Sequence, residues 1–216
     1  MSKTVVIIDY QLGNVFSVQQ ACEYLGFNST ISTSPETLLK ADYAILPGVG
    51  AFRDSMQNLH NSGLTDAIRE FIKTGRPFMG VCLGLQLLLT KSEEFGMQDG
   101  LNIIPGTVKR FPTDEGTRSL KVPQIQWNRI LEREKGNWNS TPLKECKSGD
   151  FMYFVHSFFA EPDDPKDILA VTNYGNLNYC SSILRENVFA TQFHPEKSGL
   201  PGVNIYKQWF EYNKNL

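Results

Sequence analysis

The feature that most limits the fold of this chain is an alternation of short apolar runs with amphipathic stretches of helical length over its first 81 residues. The apolar runs predict strands at 4–9, after Gly26, at 42–47 and at 77–81. The amphipathic patterns predict helices at 15–25, from Ser34-Pro35 onward, and at 64–74. Strands separated by such helices need right-handed crossovers, so the predicted fold class is α/β, with a mostly parallel central sheet flanked by helices.

The pattern changes after about residue 95 to β-rich segments separated by turn residues. These segments lie at 101–111, 121–131, 150–160, 167–175, 178–186 and 187–193. They predict added antiparallel strands in the C-terminal half, with a tight turn at 185–187, a surface excursion at 132–150 and a final helix at 203–212. A chain of 216 residues that is 41% apolar is long enough to bury one core, so we expect a single domain over 1–216.

Charge and cysteine content argue against several classes of partner. The chain has 21 Lys and Arg against 23 Asp and Glu, without a block of like charge, which suits neither a nucleic acid nor an anionic membrane. The N-terminal apolar run is too short for a signal peptide, and no segment has the length of a membrane span. The four cysteines are far apart and show no zinc-site spacing, so we expect free thiols in a cytoplasmic protein.

The strongest chemical motif is Gly80-Val81-Cys82-Leu83-Gly84, at the change from strand to helix. It is the thiol counterpart of the G-x-S-x-G nucleophile elbow. Such a turn strains the backbone of the nucleophile, the helix N-terminus favours the thiolate, and the backbone N–H of Leu83 faces an oxyanion. The pentapeptide alone is equally compatible with a buried structural cysteine, so a second signal is required.

The chain contains only three histidines, and His194 stands in QFHPEKS directly after an apolar run. In extended backbone His194 and Glu196 leave the same face, so the carboxylate can orient the imidazole. Pro195 between them is expected to exclude helix and to hold the extended shape. Together with the elbow cysteine, these residues predict a Cys82-His194-Glu196 triad.

A glycine cluster, LPGVGAF at 46–52, follows the third predicted strand. It does not fit a dinucleotide-binding loop, because Arg53 stands where the fingerprint requires glycine. The backbone of Val49 or Gly50 is instead a candidate for a second oxyanion donor.

These motifs, taken together, resemble class I glutamine amidotransferases. The matching stretches run from end to end: IDYQLGN at 8–14, LPGVGAF at 46–52, GVCLGLQLL at 80–88, KSEEFG at 91–96, VPQIQWN at 122–128, YFVHSFF at 153–159 and FHPEKSG at 193–199. The resemblance implies that Cys82 attacks the side-chain amide of glutamine and needs no cofactor or metal. It implies an oxyanion hole from Leu83, Val49 and Gly50. The residues that it implies for glutamine binding are Gln86, Glu94, His156, Ser157 and Phe158.

Within this family the motifs are most similar to glutaminase subunits that pass ammonia to a (β/α)8 barrel cyclase making imidazole glycerol phosphate in histidine biosynthesis. The resemblance implies a heterodimer with that cyclase. It also implies that Lys197, beside the triad, belongs to the docking face. Gln124, Trp127 and Asn128 would lie at the same interface.

Two departures from the pattern keep an alternative open. Gln11 stands where the family carries glycine, and Gln124 and Gln126 replace a histidine and a glycine near the expected interface. Similar chains in surface-polysaccharide gene sets feed a cyclase-like barrel and an enzyme that amidinates a sugar acid, so a different partner is the alternative. A non-catalytic subunit would predict a damaged triad, whereas all three residues are present.

Overall fold

The computed structural model describes residues 3–115 and 118–213. The predicted alternation is confirmed in the first half of the chain. The strands there are β1 (Thr4–Ile8), β2 (Asn28–Ser32), β3 (Tyr43–Gly48) and β4 (Phe78–Cys82). The helices there are α1 (Val15–Tyr24), α2 (Pro35–Lys40), α3 (Phe52–Asn61), α4 (Leu64–Lys73) and α5 (Leu83–Leu87).

The second half is rich in strands, as predicted. The first of them are β5 (Leu89–Ser92), β6 (Gln98–Asp99), β7 (Ile104–Arg110), β8 (Asp114–Glu115), β9 (Arg118–Ser119), β10 (Gln124–Arg129) and β11 (Leu131–Glu132). The later ones are β12 (Phe151–His156), β13 (Phe158–Pro162), β14 (Ile168–Tyr174), β15 (Leu177–Arg185) and β16 (Val188–Thr191). Short 3-10 helices lie at Pro165–Asp167 and Pro195–Lys197, and α6 (Gly199–Tyr212) follows.

The central sheet has twelve strands, and its main order is β2-β1-β3-β4-β16-β15-β13-β7-β5-β6, with β14 and β11 attached beside β15. The strands from β2 to β16 along this order are parallel to one another. Antiparallel pairing begins at β16 and β15, which the tight turn at Glu186 and Asn187 connects as predicted. Strands β10 and β12 form a separate antiparallel ribbon beside this sheet.

Alternating side chains bury both faces of the parallel strands, as expected for a sheet covered by helices on each side. In β1, Val5 and Ile7 point into one hydrophobic cluster, with α1 and α6, whereas Val6 and Ile8 point into the other, with α2, α3 and α4. This arrangement leaves the carboxyl edge of the parallel strands as the place where loops meet. Among the described residues, no helix is long and apolar enough to cross a membrane.

Two helices differ from the sequence predictions. The sequence pattern predicts no element at 52–61, where α3 forms. Most residues of α3 are polar, and its buried apolar side consists of a narrow stripe that includes Phe52 and Leu59. Helix α6 begins at Gly199, four residues before the predicted start at Val203, because the 3-10 turn before it leads directly into the helix.

The backbone conformation at Gln11 bears on one of the departures from the family pattern. Its φ is 70°, a left-handed conformation that glycine adopts freely and that costs other residues about 1 kcal/mol. The backbone N–H of Gln11 donates to Oδ1 of Asp9 at 2.8 Å, which supports the turn. A glycine would suit this turn without strain, and this chain places glutamine there.

Candidate active site

Cys82 occupies a strained elbow between β4 and α5, as the sequence predicts. Its backbone has φ 55° and ψ −108°, which is unfavourable for a residue with a side chain. A Cβ atom placed on Gly84 would lie 1.9 Å from the carbonyl oxygen of Leu46. Glycine is therefore required at position 84 because α5 lies directly against β3.

The sheet topology carries His194 to the same edge. Strand β16 is parallel to β4, with Thr191 opposite Val81, so the residues that follow β16 lie beside Cys82. Nδ1 of His194 is 2.7 Å from Oε1 of Glu196, and both side chains are buried. The structure thus brings Cys82, His194 and Glu196 together at the carboxyl edge of the parallel strands.

The expectation of extended backbone through Pro195 is wrong. Pro195–Lys197 forms a 3-10 turn, because the fixed φ of proline also suits the first position of a helical turn. The loop is held by β12: the N–H of His194 donates to the Tyr153 carbonyl at 3.0 Å, and Ser198 Oγ donates to the His194 carbonyl at 2.6 Å. The imidazole therefore stands on a fixed backbone.

Charge in this pocket favours a protonated imidazole. Burial by itself lowers the pKa of His194, but neighbouring Cys82 and Glu196 outweigh it and raise the pKa to about 10. Nδ1 of His194 faces Glu196, so Nε2 is the ring nitrogen that remains to exchange a proton with Cys82 or with a reacting group. In contrast, burial raises the pKa of Cys22, Cys146 and Cys180 to about 12, which makes these thiols poor nucleophiles.

The residues predicted to form the oxyanion hole lie next to the elbow. Gly48 is opposite Cys82 in the register of β3 and β4, so Val49 and Gly50 follow directly beside the cysteine. Gly50 has φ 100°, which suits glycine, and Val49 is partly exposed. Leu83 is the buried first residue of α5. All three backbone segments therefore border the position of the sulfur.

The residues predicted to bind glutamine differ in how they are placed. Oε2 of Glu94 accepts a hydrogen bond from the N–H of Phe52 at 2.5 Å, at the start of α3. Nε2 of Gln86 donates to the carbonyl of Phe158, and the side chain is buried. Ser157 and Phe158 are half-buried. Their roles toward a ligand stay predictions.

His156 is buried and bonded within the protein. Its Nδ1 lies 2.8 Å from the carbonyl oxygen of Phe158, and its Nε2 lies 3.3 Å from the hydroxyl of Tyr179. Burial lowers the pKa of His156 to about 4, so the ring is neutral at pH 7. The His156 side chain therefore has a structural role in the protein interior, where it supports the backbone of Phe158.

The depressed pKa of His156 predicts a loss of stability in mild acid. Between pH 6.5 and 4 the unfolded chain takes up a proton that the folded chain does not bind, so the free energy of unfolding falls as pH decreases. The contribution reaches about 3 kcal/mol near pH 4. Urea unfolding of wild type and His156→Gln across this range measures it: the variant should show a flatter pH dependence. Parallel curves would contradict the prediction.

The predicted interface residues do not all lie at the surface. Gln124 is fully buried, and its Oε1 accepts a hydrogen bond from the Tyr179 hydroxyl at 3.0 Å, so its placement at the interface is wrong. It starts β10 opposite His156, on the inward face of the ribbon. Trp127 and Lys197 are exposed, and Nδ2 of Asn128 donates to the Asn173 carbonyl.

Sequence reasoning missed two residues that contact the triad. Nδ2 of Asn14 donates to Oε1 of Glu196 at 3.4 Å, and Nε2 of Gln192 lies 3.8 Å from Sγ of Cys82. Both stand inside motifs of the sequence, IDYQLGN and QFHPEKS, but their amide side chains carry no signal of chemistry by themselves. Their proximity to the triad required the fold.

Comparison with known proteins agrees with this geometry. The model of the family "Glutamine amidotransferase class-I" matches residues 6–211. The chain is 45% identical over 209 residues to "Imidazole glycerol phosphate synthase subunit HisH" of Geobacter sulfurreducens, covering 96% of this chain and 98% of that protein. It is 46% identical over 208 residues to the protein of the same name in Syntrophotalea carbinolica, covering 95% and 98%.

Solved structures show the same fold at low sequence identity. One, described as the structure of PurLQS from Thermotoga maritima, aligns with a TM-score of 0.73 at 16% identity over 98% of this chain and 99% of that chain. Another, described as a glutamine amidotransferase, has a TM-score of 0.72 at 17% identity over 97% and 98%. Since the family match spans residues 6–211 and the curated relatives align over nearly their full length, the chain belongs to the class I glutamine amidotransferase family.

Proposed function

We propose that this chain is the glutaminase subunit of an imidazole glycerol phosphate synthase, acting in histidine biosynthesis. The observation that carries the proposal is the near-complete alignment with HisH proteins at 45–46% identity, in a chain whose Cys82, His194 and Glu196 meet at one edge of the sheet. These relatives favour the histidine pathway over the sugar-amidination alternative. A cytoplasmic location and a single-domain organisation stay predictions.

The proposed reaction uses the triad as an acyl-transfer site. Transfer of the Cys82 thiol proton to Nε2 of His194 gives the thiolate–imidazolium pair that the raised pKa of His194 favours, and the sulfur attacks the side-chain carbonyl carbon of glutamine. Backbone N–H groups of Leu83 and of the Val49–Gly50 segment stabilise the oxyanion. His194 returns the proton to the departing nitrogen, which leaves as ammonia, and Glu196 steadies the charged imidazole. Water then hydrolyses the thioester, with His194 as base, and releases glutamate.

The outward face of the β10–β12 ribbon supports docking of a cyclase partner. It exposes three large apolar side chains, Ile125, Trp127 and Phe151, whose accessible fractions are 58%, 51% and 48%. Trp127 packs edge-on against Tyr153, whose ring lies 6.4 Å from that of His194. This apolar surface therefore leads to the triad. A partner seated on it would receive ammonia before bulk water protonates it.

The test of the function is glutamate release from glutamine by this chain mixed with a histidine-pathway barrel cyclase and its ribonucleotide substrate. We expect slow release by the chain alone and strong stimulation by the loaded cyclase. The absence of stimulation, from a chain whose Cys82 still reacts with a glutamine-analogue electrophile, would contradict the histidine-pathway assignment.

Replacing Trp127 by alanine is expected to weaken binding of the cyclase at least about tenfold, because a buried aromatic anchor is typical of an interface hot spot. Titration of the cyclase, measured by calorimetry, checks the effect. Tyr24→Ala is the control, since Tyr24 is also an exposed aromatic residue, with an accessible fraction of 73% against 51% for Trp127, and it lies at the end of α1, outside the ribbon. Equal binding by wild type and Trp127→Ala would remove the ribbon from the interface.

A further inference from the structure

Gln192 contacts the nucleophile although neither sequence motif nor triad chemistry assigns it a role. Its side chain is fully buried directly after the last residue of β16, two residues before His194. Its backbone N–H donates to the Ser181 carbonyl at 2.9 Å, which anchors the residue to β15. Its Nε2 lies 3.8 Å from Sγ of Cys82, within reach of the large sulfur atom.

Hydrogen bonding determines which way the Gln192 amide faces. The Phe158 carbonyl oxygen only accepts, so the Gln86 atom 2.8 Å from it must be the nitrogen, Nε2. The other hydrogen of that nitrogen points to Oε1 of Gln192 at 3.1 Å. With its oxygen held by Gln86, Gln192 presents its N–H to Cys82.

Two groups compete for the sulfur, and they favour opposite protonation states. The Val155 carbonyl oxygen, 3.9 Å from Sγ, only accepts, so it pairs with the neutral thiol. The Gln192 N–H only donates, so it pairs with the thiolate, and a hydrogen bond to the charged form favours that form.

We propose that Gln192 is a positioning residue that donates to Sγ of Cys82, favours the thiolate and holds the sulfur for attack, and that Gln86 acts through it by fixing its amide orientation. The inference rests on the proposed glutaminase function for its purpose but not for its geometry. It also gives Gln86 a task besides any contact with glutamine, because both of its N–H donors are used inside the protein.

The test measures alkylation of Cys82 by iodoacetamide against pH, with mass spectrometry identifying the modified cysteine. In Gln192→Met, which keeps the volume and removes the donor, the pH of half-maximal alkylation should rise by about one unit. In Gln192→Glu it should rise further, because a carboxylate then faces the sulfur. The titratable groups coupled to Cys82, namely Tyr10 and His194 with its neighbours Glu196 and His156, are unchanged in these variants.

Kinetics separate positioning from simple structural support. In the presence of the cyclase, Gln192→Met should lower kcat for glutamate release about tenfold and change KM less than about threefold. This pattern is expected when a substitution weakens the reactivity of the nucleophile and leaves substrate binding unchanged. Gln86→Met should shift the alkylation profile in the same direction, and it serves as the second variant if substitutions at position 192 reduce folding.

Thr191→Val is the matched control. Thr191 is the buried neighbour of Gln192, and its hydroxyl donates to the Phe193 carbonyl at 3.0 Å, so this variant also loses a buried hydrogen bond but leaves Cys82 untouched. If Gln192→Met and Gln86→Met both fold and both give the same alkylation profile as wild type, the proposal is overturned. An equal shift of the profile in Thr191→Val would also overturn it. Alkylation by iodoacetamide needs neither glutamine nor cyclase, so its result does not depend on whether the proposed function is correct. In the same way, stimulated glutamate release would support the proposed function even if the alkylation profiles did not shift.

Discussion

Glutamate release should fall by at least about 10⁴-fold when Cys82 is replaced by alanine, because no other group at the elbow can form the thioester. The remaining cysteines cannot substitute, since burial raises the pKa of each to about 12. The measurement is stimulated glutamate release with excess cyclase. Binding of the cyclase should persist, because Cys82 is buried and lies below the proposed docking surface.

The triad also predicts strong non-additivity. His194→Asn should cost nearly as much as Cys82→Ala, and the double variant should be no slower than the worse single variant, because nucleophile and base act in one step. A Cys82→Ala protein that retained stimulated activity, with the purity of the sample confirmed by mass spectrometry, would refute the covalent mechanism. Multiplicative losses in the double variant would instead show that His194 acts in a separate step.

Replacing Gly84 by alanine should produce the largest loss of stability among glycine variants near the site, about 3 kcal/mol or more. The new Cβ would lie 1.9 Å from the backbone oxygen of Leu46, so α5 and β3 must separate. For a chain of this length the melting temperature should fall by about 6–12 °C. Thermal unfolding followed by circular dichroism measures the change, and Cys82 alkylation should slow as the elbow moves.

Gly13→Ala is the comparison for this effect. A Cβ there would meet its nearest neighbours, Pro47 and Val15, at 3.6 Å, an ordinary van der Waals distance. We expect its melting temperature to stay within about 2 °C of wild type. If Gly84→Ala melted together with Gly13→Ala, the close approach of α5 to β3 would not be a constraint on the fold.

Local patterns predicted those parts of the fold whose burial follows a regular period. The strands β1, β3 and β4 are apolar runs bounded by turn residues, and α4 has its apolar residues on one side and Gly75 after its end. Helix α3 was not predicted, because only a narrow stripe of its surface is buried and the apolar pattern is therefore weak. The 3-10 turn that begins at Pro195 was not predicted, because proline suits both extended backbone and the start of a helical turn.

The candidate site divides in the same way. Cys82 was predictable because a nucleophile elbow needs glycines at fixed spacing, and His194 with Glu196 because a short motif brings base and carboxylate together. Gln124 was misplaced, because whether a residue of a ribbon faces solvent depends on what the ribbon packs against. Here the neighbour is Tyr179, from a distant strand.

The sequence by itself therefore determined the α/β class and the family, and it named the three candidates for the triad, since these depend on local periodicity and on motifs of fixed spacing. Only the tertiary structure decided what surrounds the sulfur. The parallel pairing of β16 with β4 sets Gln192 beside Cys82, and Gln86 from α5 then orients the Gln192 amide. Such contacts join residues far apart in the chain, and their distances and directions follow from strand order and register, which local patterns do not encode.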